Sequence, residues 1–186
     1  MKDPCIRQLL RETELSEFIH DGHSRVVEEL TIPTTNSRID IAVINGAMHG
    51  YEIKSASDNL DKIEHQIAGY SKVFDFISIV TEGKHYGRVL DFVPQWVGLF
   101  VCSNENGIQA IKIERKAEPN IHKTGFNLAM LLWNNELIDV LSTYKIQHRK
   151  NYRSWLLCEA LSSELDTDAI SDIVRTKLKE RENWRT

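Results

Sequence analysis

Two acidic residues and a lysine, Asp40, Glu52 and Lys54, have the types and spacing of a hydrolytic site. Side chains alternate between the two faces of a strand, so Glu52 and Lys54 point one way while Tyr51 and Ile53 point the other. Carboxylate oxygens are the ligands that Mg²⁺ and Mn²⁺ prefer. A bound ion lowers the pKa of water and stabilises the charge of phosphoryl transfer, and a lysine can orient or deprotonate that water. The spacing therefore predicts metal-assisted cleavage of a phosphodiester.

The loop that precedes Glu52 decides whether Asp40 can share its face. A two-residue Asn45-Gly46 turn would place the two carboxylates on opposite faces of the hairpin. A three-residue loop of Ile44, Asn45 and Gly46, with Gly46 in the left-handed bulge position, places them on one face. We predict the three-residue loop, because the chemistry requires both carboxylates on the same side.

Two short motifs resemble those of a known group of nucleases. Arg38-Ile39-Asp40 followed by Glu52-Ile53-Lys54 resembles the PD-(D/E)XK nuclease superfamily, with Ile39 where the group's name has proline. Gln66 and Tyr70 are four residues apart and so lie on one helical face. They resemble the QxxxY motif of RecB-like members, whose Gln and Tyr line the site beside the metal and the nucleic-acid backbone.

A longer resemblance covers most of the chain. Residues 38–75 look like an uncharacterised bacterial and prophage branch of the superfamily, in which a helical tail with an LLW-like motif follows. Leu131-Leu132-Trp133 match that motif. The resemblance implies a restriction-endonuclease-like αβββαβ core with a C-terminal helical extension.

The resemblance also implies the roles of the site residues. These families supply one more acid from an upstream element, for which Glu28 and Glu29 are the candidates. Related small nuclease domains have this acid directly before a leucine, which favours Glu29, whereas the pattern alone does not choose. Lys54 would orient or activate the attacking water. The implied catalytic residues are Glu29, Asp40, Glu52, Lys54 and Gln66, and the implied ligands of Mg²⁺, for which Mn²⁺ could substitute, are Glu29, Asp40, Glu52 and the backbone carbonyl of Ile53.

A second candidate surface lies in the C-terminal part of the chain. Residues 145–153, KIQHRKNYR, combine basic and aromatic side chains and can follow a nucleic-acid backbone, although a solvated loop between helices has the same composition. Arg38 can contact a phosphate or form a salt bridge, and Tyr70 can line the site or pack in the core. The predicted nucleic-acid contacts are Arg38, Tyr70, Lys145, Arg149, Lys150 and Arg153.

Composition excludes several classes of protein. The 186 residues carry 23 basic and 27 acidic side chains, a net charge of −4, so the chain is not a polycation that coats nucleic acid. Contact with nucleic acid must use a local patch or bound ions. Three distant cysteines, a charged N-terminus and the lack of any run of about 20 apolar residues argue against disulfides, a secretory signal and a membrane span. We expect a cytoplasmic protein.

The apolar patterns predict a mixed α/β protein with a sheet of five or six strands. We divide it into a nuclease-like domain at 1–121 and a helical extension at 122–186, because the pattern becomes purely helical after the polar stretch at 117–123. The net charge also differs, −5 in the first part and +1 in the second. Asp58 is predicted to cap the helix that follows it, and residues 24–32 fit either a strand or a helix. Helices are predicted at 5–20, 59–74, 84–92, 125–143, 152–162 and 167–181, and strands at 38–44, 49–55, 76–80, 96–102 and 108–114.

Two functions from different classes follow. The first is a Mg²⁺-dependent nuclease, with DNA as the expected substrate and a short footprint or a protein partner to offset the acidic net charge. The second is a catalytically silent nucleic-acid-binding or interaction subunit that keeps the nuclease fold. The relative orientation of Asp40 and Glu52 distinguishes them, because carboxylates on opposite faces could not share an ion.

Overall fold

The structure is a computed structural model that describes residues 1–149, 151–182 and 184. It confirms a mixed α/β protein. Within the described ranges, no helix is long and apolar enough to cross a membrane. The strands are β1 Arg25–Ile32, β2 Ser37–Ile44, β3 Met48–Lys54, β4 Phe76–Glu82, β5 Gly98–Glu105 and β6 Ile108–Arg115, and the helices are α1 Asp3–Glu12, α2 Ser16–His20, α3 Ile63–Tyr70, α4 Tyr86–Phe92, α5 Gly125–Ala129, α6 Asn134–Thr143, α7 Ser154–Glu164 and α8 Thr167–Glu180.

The strands form one sheet in the order β1-β2-β3-β4-β5-β6. β1, β2 and β3 are antiparallel neighbours, β4 and β5 continue in parallel with β3, and β6 returns antiparallel. The parallel pairs are joined by crossovers that contain α3 and α4. Residues 24–32, which the sequence left open between strand and helix, contain β1. The first part of the chain therefore has the predicted order of α, three β, α and β.

The loop between β2 and β3 has the predicted odd length but lies one residue later than expected. Ile44 pairs with Met48, so the loop is Asn45-Gly46-Ala47 rather than 44–46. Gly46 does not adopt the predicted left-handed conformation. The Asn45 N–H donates to the Ala47 carbonyl, and Asn45 Oδ1 accepts from the Ala47 N–H, both at 2.9 Å. These two bonds close the turn without a positive φ.

Two predicted helices are each divided. The helix predicted over 5–20 is broken between α1 and α2, where Thr13 leaves the helical region with φ −115° and ψ −94° and its hydroxyl donates to the Leu9 carbonyl at 2.7 Å. The helix predicted over 125–143 becomes α5 and α6. The Trp133 N–H donates to Glu136 Oε2 at 2.6 Å and so begins α6 anew. The Thr13 N–H still bonds to the Leu9 carbonyl at 3.1 Å, so the first break lies in the dihedral angles of Thr13. At the second break a side-chain bond caps the new helix.

The helix predicted over 59–74 is shorter, and its predicted cap is wrong. α3 begins at Ile63, and Asp58 Oδ2 accepts from the Ser55 N–H at 2.6 Å, in the turn that leaves β3. The apolar positions that predicted the helix are nevertheless all buried: Leu60, Ile63, Ile67, Tyr70 and Phe74.

Each face of the sheet has its own core. α1 covers one face, where Ile6 and Leu10 pack with residues of β2, β3, β4 and β5. The other face is covered by α3 together with the C-terminal helices. Buried residues of the strands and of the helical extension belong to one continuous cluster there, which includes Leu30, Ile39, Ile79, Ile67, Leu128, Leu141, Leu161 and Val174.

Candidate active site

The neighbouring strands β1 and β2 are both irregular at the position of the candidate site. In a regular strand Ile39 and Ile41 would share a face, yet Ile39 packs with the α3 core and Ile41 with the α1 core. Glu29 on β1 has a φ of 57°, in the left-handed region that few non-glycine residues adopt. Glu29 lies between the Glu28–Ile41 and Leu30–Ile39 pairs, so it stands level with Asp40. The backbone is distorted at these two acids.

Asp40 and Glu52 line one open cleft of about 630 Å³ between β2, β3 and α3. The paired register of β2 and β3 ends at Ile41 and Tyr51, directly beside the two acids. The two carboxylates thus face the same space, as a shared ion requires. Glu29, Arg38 and Gln66 also line the cleft.

Glu52 is held by three side chains of the predicted motifs. Its Oε1 accepts from Lys54 Nζ at 2.8 Å and from Gln66 Nε2 at 2.6 Å. Lys54 Nζ also donates to Gln66 Oε1 at 2.7 Å. The Tyr70 hydroxyl lies 2.7 Å from Glu52 Oε2 and 2.7 Å from the Arg38 carbonyl oxygen. Gln66 and Tyr70 therefore fix the orientation of Glu52 and Lys54 from α3.

The environment of Glu52 keeps the Tyr70 hydroxyl protonated. Burial raises the pKa of Tyr70, and the negative charge of Glu52 and the hydrogen bond to it raise it further. Its single proton can serve either Glu52 or the Arg38 carbonyl at one time. Tyr70 acts here as a donor and as a core residue together, since its ring is fully buried beside Phe74.

Asp40 is held by groups on the other side of the cleft. Its Oδ2 accepts from the backbone N–H of Ile53 at 2.6 Å, and its Oδ1 accepts from Arg7 at 2.6 Å. Burial and the repulsion of Glu52 raise the pKa of Asp40 to about 7, although the Ile53 N–H and Arg7 oppose the rise. Burial, followed by the charge of Glu52, therefore favours the protonated form of the Asp40 carboxyl.

The structure distinguishes the two candidates for the upstream acid. Glu29 lines the cleft with Asp40 and forms ion pairs at 2.6 Å with Arg7 and with Arg38. Glu28 does not line this cleft and is bonded to Arg11 on α1. Glu29 is accordingly the acid that the fold brings to the level of Asp40.

The oxygens present fit a hard divalent cation. Mg²⁺ is commonly bound through one or two carboxylates and retains several waters, so Asp40 and Glu52 suffice as protein anchors. A cation held by these carboxylates would favour the ionised form of Asp40, against the burial and the charge of Glu52 that raise its pKa. Across the described residues, no three acidic, histidine or cysteine side chains are close enough to hold a metal together. Glu29 is thus not joined with Asp40 and Glu52 into one ligand group, and the carbonyl of Ile53 remains a predicted ligand.

The predicted nucleic-acid contacts divide into two sets. Arg38 and Tyr70 lie at the cleft or directly behind it. Lys145, Arg149 and Arg153 are exposed on the connection between α6 and α7 and do not line the cleft. Lys150 falls outside the described residues.

Arg7 is the site residue that the sequence prediction missed. It reaches Asp3, Glu29 and Asp40 from α1 at 2.6 Å each. A signal was present, because Asp3 and Arg7 are four apart on one face of the helix, as in an i,i+4 ion pair. The contact with β2 joins residues 33 apart in the sequence and has no local pattern.

The chain is similar in sequence to a bacteriophage protein family. The family described as Bacteriophage P4 protein cII matches residues 2–185. Protein cII of Enterobacteria phage P4 is 28% identical over 182 residues, with 94% of this chain and 69% of the relative covered. Among solved structures, the SPO1766 protein of unknown function from Silicibacter pomeroyi aligns with a TM-score of 0.40 and 19% identity, over 56% of this chain and 67% of that one.

Proposed function

The chain belongs to the bacteriophage P4 protein cII family, and we propose that it is a metal-dependent nuclease that hydrolyses phosphodiester bonds of DNA. One observation carries the proposal: the carboxylates of Asp40 and Glu52 line one open cleft, with Lys54 bonded to Glu52 beside them. Two acids at an accessible space, with a buried lysine bonded to one of them, are the groups that metal-assisted phosphodiester hydrolysis uses.

We further assign the chain to the PD-(D/E)XK superfamily. The support is positional: Asp40 is on β2, Glu52 and Lys54 are on β3, and the Gln66–Tyr70 motif is on α3. Each motif therefore occupies the element that the resemblance implies. Gln66 and Tyr70 both contact Glu52, so residues at the QxxxY spacing can orient the carboxylate that is the proposed metal ligand.

In this mechanism the side chains have distinct tasks. A divalent ion bound at the two carboxylates supplies stabilisation of the negative charge that develops on the phosphoryl oxygens. Lys54 holds a proton at Nζ and is aimed by Glu52 and Gln66, so it can orient the attacking water or neutralise charge on the phosphate. Tyr70 prevents Glu52 from rotating away from the cleft.

The proposed substrate is DNA, bound over a short footprint or with the help of a protein partner. The net charge of −4 disfavours a long electrostatic footprint. Arg38 and Lys62 supply positive charge at the cleft itself. We place the protein in the cytoplasm as part of the same proposal, where its three unpaired cysteines would remain reduced.

The test combines metal binding with cleavage. Mn²⁺ is titrated by calorimetry into wild type, Asp40→Asn and Glu52→Gln, and each protein is then incubated with linear, circular and single-stranded DNA. Asp91→Asn is the matched control, because Asp91 is an exposed aspartate on α4 outside the cleft. We expect binding and cleavage by wild type and the control, and neither by the two site variants. Cleavage that survives in Asp40→Asn would overturn the assignment.

A second candidate function is a catalytically silent nucleic-acid-binding or interaction subunit. The observation that favours it is the ion pairing of Arg7 with both Glu29 and Asp40, which neutralises acidic charge without a metal. The same titration separates the two candidates. A well-folded wild-type protein that binds DNA but neither binds Mn²⁺ nor cleaves any of the three substrates would support the silent subunit.

A further inference from the structure

We propose that Arg7 and the divalent cation compete for the same carboxylates, so that metal binding releases Arg7 from Asp40 and Glu29. This role for Arg7 rests on the proposed nuclease function, since it presumes that a metal binds at Asp40 and Glu52. Arg7 is then a positioning residue that sets the metal affinity of the site from α1.

The guanidinium occupies the place of a cation between two strands. A single nitrogen, Nη2, donates to Glu29 Oε1 and to Asp40 Oδ1, each at 2.6 Å. Its Nη1 donates to the backbone carbonyl of Asp40 at 3.0 Å. Arg7 thus bridges acids of β1 and β2, and charge-assisted bonds of this length are strong.

The remaining oxygen of Asp40 is also engaged. Its Oδ2 accepts from the Ile53 N–H at 2.6 Å, a bond that belongs to the fold of β3. Both oxygens of Asp40 that a metal ion could bind therefore already have a partner, the guanidinium at Oδ1 and the Ile53 N–H at Oδ2. The contact that can yield is the one with Arg7, because it depends on a side chain and not on the strand pairing.

Burial makes the competition significant. The side chains of Arg7 and Asp40 are only 16% and 18% exposed, so their attraction is screened less than that of a surface pair. A guanidinium is protonated throughout the accessible pH range, so Arg7 stays charged and opposes the approach of a second cation.

Arg7 can keep one ion-pair partner when it leaves Asp40 and Glu29. Its Nε donates to Asp3 Oδ1 at 2.6 Å, one turn earlier on α1. The guanidinium can keep this partner while Nη2 leaves Asp40 and Glu29. The exchange therefore requires a change of side-chain conformation and no unfolding of α1.

The test measures Mn²⁺ affinity by calorimetry in wild type, Arg7→Met and Arg11→Met. Methionine keeps much of the length of the side chain and removes the charge. Arg11 is the matched control, since it lies one turn later on α1 and pairs with Glu28, outside the cleft. We expect Arg7→Met to bind Mn²⁺ about tenfold more tightly than wild type, within the usual range of coupling between sites. Arg11→Met should bind like wild type.

Thermal unfolding supplies a readout that does not depend on catalysis. Without metal, Arg7→Met should melt below wild type because Asp3, Glu29 and Asp40 lose their shared cation. Added Mn²⁺ should raise its melting temperature by more than it raises that of wild type. If Arg7→Met does not fold, Arg7→Lys replaces it, because lysine keeps the charge without the fork and should give an intermediate affinity.

The outcomes separate the two proposals. Wild type that binds Mn²⁺ no more weakly than Arg7→Met would overturn the competition and leave the nuclease standing. Folded wild type and folded Arg7→Met that both fail to bind Mn²⁺ would overturn the proposed function and with it the role of Arg7.

Discussion

Glu52 and Lys54, two residues apart on β3, form a buried ion pair whose Nζ and Oε1 atoms are 2.8 Å apart. Their side chains are 4% and 9% exposed. A buried pair contributes little net stability compared with apolar residues, but removing one partner leaves the other charge uncompensated. A substitution of either residue should therefore change the stability of the protein as well as the candidate site.

Lys54→Met should lower the free energy of unfolding by about 3 kcal/mol, because Glu52 remains buried without its cation. Glu52→Gln should also destabilise the protein, and the double variant should recover part of the loss. Urea unfolding of wild type, the two single variants and the double variant gives the double-mutant cycle. All three variants should lack nuclease activity, so a double variant that regains stability and activity together would contradict the assigned roles.

Tyr70→Phe removes a hydroxyl and keeps the buried ring. We expect a loss of about 1 to 2 kcal/mol, since Glu52 Oε2 and the Arg38 carbonyl lose a buried donor. Cleavage should fall at least about tenfold if Glu52 needs this bond to hold its orientation. Tyr144→Phe is the control, because Tyr144 is 48% exposed. Equal effects of the two substitutions would show that Tyr70 does not position Glu52.

Mn²⁺ affinity should increase as the pH rises from 6 to 8. Burial and Glu52 raise the pKa of Asp40 to about 7, so the carboxyl must lose a proton in this window before it can bind a cation. The expected gain is about tenfold, the change in the fraction of deprotonated Asp40. Calorimetry at several pH values measures it, and a flat profile would show that no metal ligand loses a proton between pH 6 and 8.

Acid should destabilise the fold through His49. The ring is half-buried against Tyr51 and Phe76, and this desolvation lowers its pKa to about 4 from the ordinary 6.5. The unfolded chain binds the proton first as the pH falls, so the contribution of His49 is present above about pH 6.5 and is lost as the pH falls towards 4. Urea unfolding at several pH values should show that the free energy of unfolding falls less on acidification for His49→Gln than for wild type. His20→Gln, at an exposed histidine, should follow wild type.

Local patterns in the sequence predicted the parts of the site that lie on adjacent elements. Alternation placed Glu52 and Lys54 on one face of β3, and a spacing of four placed Gln66 and Tyr70 on one face of α3. The structure joins these four side chains in one network. The alternation in a strand and the spacing of four in a helix are properties of the backbone, so they do not depend on which other elements pack against β3 or α3.

The parts that the sequence did not predict depend on the conformation of single residues or on distant contacts. The break after α1 occurs where the φ and ψ of Thr13 leave the helical region, although its N–H still bonds to the Leu9 carbonyl at 3.1 Å. The approach of Arg7 to Asp40 depends on how α1 packs across the sheet. Neither leaves a periodic trace in the residues concerned.

The continuous core beneath the sheet also has a consequence for the order in which the protein is made. Ile170, Val174 and Leu178 on α8 are fully buried in the same cluster as Ile39 of β2 and Ile67 of α3. The ribosome releases β2 and α3 long before α8. Until α8 emerges, the strands that present the candidate site lack part of their apolar cover, so this site reaches its final form late in translation.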